Sequence, residues 1–386
     1  MRREQRDLGL LAGGTLVSVA GDAAALIALL FELKKHGVGW VSGALGAELL
    51  PFVLFASFSG RLVDRHDNRR LLVVSLMGQA LVAVPLALAR TPWLVIALFF
   101  ALNSLATIGR PAANAMVPVL SGDLEPTKGF AWVATGAGLG WIIGPAVGGI
   151  LTTTSGVTLA IAIDAATFLV IAVACAALSR TRIAEVGGEH EDERHGGLRI
   201  LRTETILFLS VVTTAIAVAC AVVDNVAAPF RFLDQLATTS SGYGAYLAVW
   251  GVGGLAGSQI PRRLSPSRLP VALAIGNGLS GLGIVGIGLA PSLGVALGAS
   301  AVGGIGNGVA NVALSALVAS RVVEGQRGRA FAAVGAIVQG GVGVGTVAGA
   351  PIVAAVGAGH AMVGAGSLAA VLAALTAAWT LFAQRS

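Results

Sequence analysis

Apolar residues run along this chain in long uninterrupted stretches, separated by short polar connections. Twelve such stretches can be marked, at 9–33, 42–60, 70–90, 92–120, 127–153, 157–179, 205–232, 240–261, 269–290, 293–320, 329–356 and 359–382. A helix of about 20 apolar residues crosses the hydrocarbon core of a bilayer, and backbone polar groups in that medium have to be satisfied within the helix itself. The pattern therefore predicts an all-α membrane protein with twelve transmembrane helices. Met1 to Arg6 followed by apolar residues from Leu8 has the outline of a signal peptide. The apolar run is too long for one and eleven others follow it, so it is read as a retained first span.

Composition points the same way. Only 11% of residues are charged and 55% are hydrophobic, whereas a soluble domain carries roughly 25% charged residues, so too few charges are present to cover a water-facing surface. Positive charge is distributed unevenly. On the twelve-span map, 20 of the 25 Lys and Arg fall on one side and Lys34, Lys35, Arg90 and Arg231 on the other, with Arg110 inside span 4. Basic residues gather on the cytoplasmic side, so both termini are expected in the cytoplasm. The net charge of +6 follows from that rule and calls for no nucleic-acid partner. Abundant Ala, Gly and Val with only three lysines suggests a bacterial source, hence the inner (plasma) membrane. The longest polar segment divides the chain into an N-terminal half at 1–180, a cytoplasmic linker at 181–203 and a C-terminal half at 204–386. His190 and His195 flank carboxylates in that linker, which is read as solvated and not as a metal site. Cys175 and Cys220 lie in apolar runs with no CxxC spacing, so no metal, disulfide or cofactor is expected.

The two halves repeat. An offset of 197 pairs Ile108–Asn114 with Ile305–Asn311, and Gly60 and Arg65 with Gly257 and Arg262. Beyond span 10 the offset becomes 201, pairing Gly140, Gly144 and Gly148 with Gly341, Gly345 and Gly349. Two parallel six-span halves suit a transporter whose substrate sits between them near the midplane while the halves rock around it.

The connection after span 2 reads Gly60-Arg-Leu-Val-Asp64-Arg65-His-Asp-Asn-Arg69-Arg70-Leu-Leu72. It resembles the GxLaDRxGRRxxL signature of the major facilitator superfamily, with Asp67 and Asn68 in place of the usual Gly-Arg, as in the DRxDRRRL form of the branch holding enterobactin and macrolide exporters. The resemblance implies a conformational switch formed by Gly60, Asp64, Arg65, Arg69 and Arg70, latching the halves on the cytoplasmic side. A compact turn would place Asp64 to cap a helix or pair across an interface, with the arginines at anionic headgroups. Pro261 stands at the repeat position of Asp64, so only the first half supplies that carboxylate. Span 5 carries Gly140-Trp-Ile-Ile-Gly144-Pro145-Ala-Val-Gly148-Gly149. This resembles the GxxxGPxxGG core of the motif found in proton-driven exporters, although Ala131 stands where the longer pattern has glycine. Glycines four apart share one helix face and permit close backbone approach; Pro145 permits a bend. The stretch from Arg110 to Pro118 and that from Asp164 to Phe168 also look like this branch.

Ionisable residues inside a bilayer are costly and functional by default. Five occur here: Asp22, Glu48, Arg110, Asp164 and Asp224. The resemblance implies that spans 1, 4 and 7 line a central cavity, which makes Asp22, Arg110 and Asp224, followed by Glu48, the candidates for proton coupling. Asp22 leads, since a charged carboxylate there needs Arg110 or water to compensate it. The chain is thus expected to be a proton-coupled antiporter exporting an amphipathic or hydrophobic small molecule such as a drug, an antibiotic or a siderophore-like metabolite, with protons, substrate and membrane lipid as its partners, acting as a monomer. An uptake symporter of the same fold is the alternative, and a non-transporting receptor a more distant one. No HExxH, nucleophile–base pair or ATP-binding P-loop is seen, so no enzyme is expected and the energy must come from a gradient.

Overall fold

The computed structural model describes residues 3–121, 126–179, 181, 193–323 and 326–383. These are almost wholly helical, in the order α1 (Arg3–Lys34), α2 (Val38–Leu54), α3 (Ala56–Arg65), α4 (Asn68–Leu88), α5 (Pro92–Ser121), α6 (Pro126–Thr154), α7 (Val157–Ala176), α8 (Glu193–Thr203), α9 (Thr205–Phe230), α10 (Ser240–Gly257), α11 (Leu269–Leu289), α12 (Leu293–Arg321), α13 (Arg327–Val356) and α14 (Ala358–Ala383). No β-strand occurs among the described residues. Residues 182–192, the middle of the sequence-defined linker, lie outside them, His190 included.

Ten helices among the described residues are long and apolar enough to cross a membrane, or eleven if the bent pair α2–α3 forms one span. Two differences from the twelve-span reading account for the gap. The stretch at 42–60 is not one straight helix: α2 and α3 meet at a bend of 56°. Pro51 lies inside α2, where it removes a backbone donor and crowds the preceding turn; the break follows at Phe55, whose amide bonds the Pro51 carbonyl at 2.9 Å. The stretch at 240–261 ends early, at Gly257. Its remaining helix, α10, opens on Ser240, Ser241 and Tyr243 and falls short of the hydropathy of a span.

The chain divides into two compact units, Met1–Gly187 with Thr239–Ala248, and Gly188–Thr238 with Val249–Ser386. In unit 1 the main packing is α1 on α6, with α4 against α5 and α7. A Cβ on Gly140 would lie 2.7 Å from the Leu16 carbonyl oxygen, and one on Gly144 2.5 Å from that of Ala20. Backbone therefore touches backbone along the stripe. In unit 2, α13 lies on α9 in the matching way, with Gly341 against the Ala215 carbonyl and Gly345 against that of Ala219. The repeat reaches the turns as well. Gly156 (φ 82°), between α6 and α7, and Gly357 (φ 81°), between α13 and α14, both adopt the left-handed backbone that glycine alone enters without strain, and they stand 201 positions apart, the offset read from the stripe.

Candidate functional site

A cavity of about 460 Å³ opens within unit 1. Asp22 from α1, Glu48 from α2 and Arg110 from α5 all line it. Asp22 Oδ2 lies 3.7 Å from Arg110 Nη2, and the guanidinium stacks over the Phe52 ring, 4.7 Å from its centroid. The local sequence sets this arrangement. The stripe on α6 fixes α1 within one turn of Asp22, and Phe52 directly follows Pro51, just before the α2–α3 bend. Aromatic and polar side chains share the remaining wall, among them Trp141, Phe130, Gln79 and Asn114. Two carboxylates thus face a single guanidinium, in a pocket whose other surface is mainly apolar.

Asp224 does not join them. It is buried in α9 of unit 2 and lines neither this cavity nor the one described in unit 2. The latter measures about 640 Å³, lies between α9, α13 and α14, and has no carboxylate in its lining. Asp164 is also buried, on α7, with Thr167 Oγ1 donating to its backbone oxygen at 2.7 Å; its carboxylate lies against Gly21, next to Asp22, but outside the cavity lining.

The signature stretch divides into two helix ends. Gly60, Asp64 and Arg65 belong to α3, and Asp64 is exposed, with no hydrogen bond or ion pair among the described residues. The capping role proposed for Asp64 falls instead to Asp67, the N-cap of α4, whose Oδ1 accepts from the Arg70 amide at 3.0 Å. Asp67 also accepts from the Thr181 hydroxyl, and Arg70 Nε lies 3.9 Å from it. Partial burial pushes the Asp67 carboxyl up, but the Thr181 hydroxyl, the Arg70 and Arg69 amides and the Arg69 charge outweigh it and hold the group below its ordinary value of 3.8. Arg69 Nη1 donates to the Leu178 carbonyl at 2.7 Å. On the far side of that segment Asp7, 3% exposed, accepts from the Ser179 amide at 2.8 Å. The exit of α7 is therefore held from α1 and from α4 together. Asp7 had no signal beyond being an acid in a basic N-terminus.

The exporter-type motif lies along α6. Gly140, Gly144 and Gly148 face α1, while Gly149 and Pro145 face the start of α10 within unit 1: a Cβ on Gly149 would strike the Ser240 carbonyl, and one on Gly244 that of Pro145. Ser240 Oγ donates to the Gly149 carbonyl at 2.8 Å.

Comparisons with known proteins bear on the family and the fold. A family model described as Major Facilitator Superfamily matches residues 11–335. Macrolide efflux protein A of Streptococcus pyogenes is 27% identical over 209 residues, 50% of this chain and 51% of that protein, so the chain spans about half the length of that relative. Multidrug efflux pump Tap of Mycobacterium tuberculosis is 27% identical over 306 residues, 69% of each. Among solved structures, a bacterial homolog of the human lysosomal transporter Spinster has a TM-score of 0.76 at 14% identity, covering 98% of this chain and 97% of its own. A variant of the nucleoside transporter NupG reaches 0.77 at 13%, covering 97% and 99%. At these identities the structures speak for the fold alone. Proteins of this family are transporters and not enzymes. With its signature stretch, its glycine-lined α6 and a family match spanning most of its length, the chain belongs to the Major Facilitator Superfamily.

Proposed function

We propose that the chain exports an amphipathic or hydrophobic small molecule across the bacterial plasma membrane by proton antiport and alternating access. In this reading it has twelve spans in two six-helix halves, both termini in the cytoplasm, and works as a monomer. One observation carries the proposal: a carboxylate, Asp22, paired with Arg110 and accompanied by Glu48, lines a cavity in a segment that crosses a membrane. Such charges are expensive there and mark ion and substrate pathways. With the cavity open to the cytoplasm, Asp22 gives up its proton and the resulting negative charge favours substrate. With the cavity open outward, a proton returns to the Asp22 carboxyl and the charge that held the substrate is lost. Arg110 limits the cost of the ionised state. Export is favoured over uptake by the motif on α6 and by the relatives named as efflux proteins; the likeness to a nucleoside transporter carries the fold only.

Dye efflux and drug susceptibility in a pump-deficient host test this, with and without a proton uncoupler. Expression should lower dye accumulation, and the uncoupler should abolish the difference. Higher accumulation on expression would indicate uptake. Unchanged accumulation and susceptibility across a panel of lipophilic compounds would leave the receptor reading.

A further inference from the structure

Gln79 lies on α4, 5% exposed, and lines the unit 1 cavity. Its amide orientation is fixed by chemistry. Nε2 is 3.2 Å from the Ser75 carbonyl oxygen, and a carbonyl only accepts, so the nitrogen and not the oxygen faces it. Nε2 is also 3.0 Å from Ser75 Oγ. The Ser75 hydroxyl hydrogen is already committed to another carbonyl, that of Leu105 at 2.7 Å, which leaves Ser75 Oγ to accept from Gln79. Both amide hydrogens are thereby used. The remaining acceptor, Oε1, has no hydrogen-bond partner among the described residues, yet it is not sealed in the interior. The relay also needs Gly109, where a Cβ would lie 2.6 Å from Ser75 Oγ.

We propose that Gln79 is a substrate-recognition residue presenting only a hydrogen-bond acceptor, and that the cavity accordingly selects lipophilic cations bearing N–H donors. The inference rests on the export reading and adds the ligand chemistry of the same site. Part of the polar lining points the same way, while Ser18, Asn114 and Trp141, which also line the cavity, carry donors. Asp22 and Glu48 accept when ionised, and Thr15 spends its hydroxyl hydrogen on the Leu11 carbonyl at 2.8 Å. Arg110 is turned to Asp22 and Phe52. A cation satisfies the excess of carboxylate, and an N–H on it satisfies Gln79 Oε1.

The test uses the purified full chain in lipid nanodiscs and two permanently charged lipophilic probes: ethidium, which carries aromatic N–H donors, and tetraphenylphosphonium, which carries none. Gln79→Met should weaken ethidium about fivefold, the size of one neutral hydrogen bond, while tetraphenylphosphonium stays within about twofold. Ser75→Ala frees one amide hydrogen and lets the amide turn, so the ethidium to tetraphenylphosphonium affinity ratio should fall in the same direction by less. An unchanged ratio in Gln79→Met, with both probes still bound, overturns the inference and leaves the export reading standing. If Gln79→Met loses both probes together, Ser75→Ala decides: a fallen ratio supports the role and an unchanged one overturns it. If the wild type binds neither probe, cationic lipophiles are not its ligands, and the inference falls with that part of the export reading.

Discussion

Adding one methyl group at Gly144 tests whether the α6 glycine stripe is what positions Asp22. A Cβ there would lie 2.5 Å from the Ala20 carbonyl oxygen, 2.8 Å from Ala23 Cβ and 2.9 Å from Ala20 Cα. All three belong to or adjoin the α1 backbone, so no side chain can swing away. Restoring ordinary contact of 3.4 Å requires α1 and α6 to part by about 0.9 Å in a packed interior. Overpacking of this kind costs about 1–3 kcal/mol, and the better helix propensity of alanine returns about 1 kcal/mol. The net loss for Gly144→Ala should be about 0–2 kcal/mol, towards the upper end because two of the three atoms met are Ala20 backbone. Gly343→Ala is the control: nothing lies within 4 Å of a Cβ there, so alanine should leave stability unchanged or raise it slightly. Thermal unfolding of the purified full chain in detergent should rank Gly144→Ala below wild type and Gly343→Ala level with it or above. Because Ala20 is two residues from Asp22, the same displacement should pull Asp22 away from Arg110 and lower transport. A Gly144→Ala protein as stable as Gly343→Ala would refute the close-approach reasoning.

Asp64→Asn should sharply reduce transport at unchanged expression and insertion, because Asp64 is exposed and makes no hydrogen bond or ion pair among the described residues; near wild-type flux at equal protein level would contradict that. At Asp67, alanine should cost about 0.5–2 kcal/mol by removing the N-cap of α4, whereas asparagine, itself a good cap, should cost less. The depressed Asp67 carboxyl stabilises the fold above its ordinary value of 3.8, and that contribution is lost as pH falls through the lower folded value. Unfolding scans should therefore show a wild-type advantage over Asp67→Asn that is constant above about pH 5 and shrinks below pH 4; an advantage that grew on acidification would have the wrong sign.

The glycine stripe, its repeat in α13 and the placing of Asp22 near Arg110 were legible because each rests on a regular spacing or on the rarity of a charge in an apolar run. Other features were not. Asp224 stood after Asp22 among the candidates, and where a helix is apolar all round, periodicity does not say which face meets a cavity. Gln79 escaped notice because only ionisable residues stand out in such a sequence; its role depends on Ser75 and on Leu105, which lies on another helix. Pro51 announced a distortion in α2 without fixing its angle. The polar opening of α10 was masked by apolar residues up to Ile260 that the helix does not reach. Asp67 read as a departure from a motif, and the hydroxyl of Thr181 that it meets, 114 residues away in sequence, could not be inferred from spacing.

Proton-driven movement through Asp22 is the centre of the account, and reconstitution tests it most directly. Wild-type protein in proteoliposomes, under an imposed pH gradient, should move a lipophilic substrate against its own gradient while protons run the other way. Asp22→Asn resembles a permanently protonated carrier, so it should keep some downhill movement and lose the uphill component together with the substrate-linked proton flux. If Asp22→Asn still accumulates substrate against its gradient with proton flux unchanged, Asp22 is not the coupling group and the account is wrong at its core.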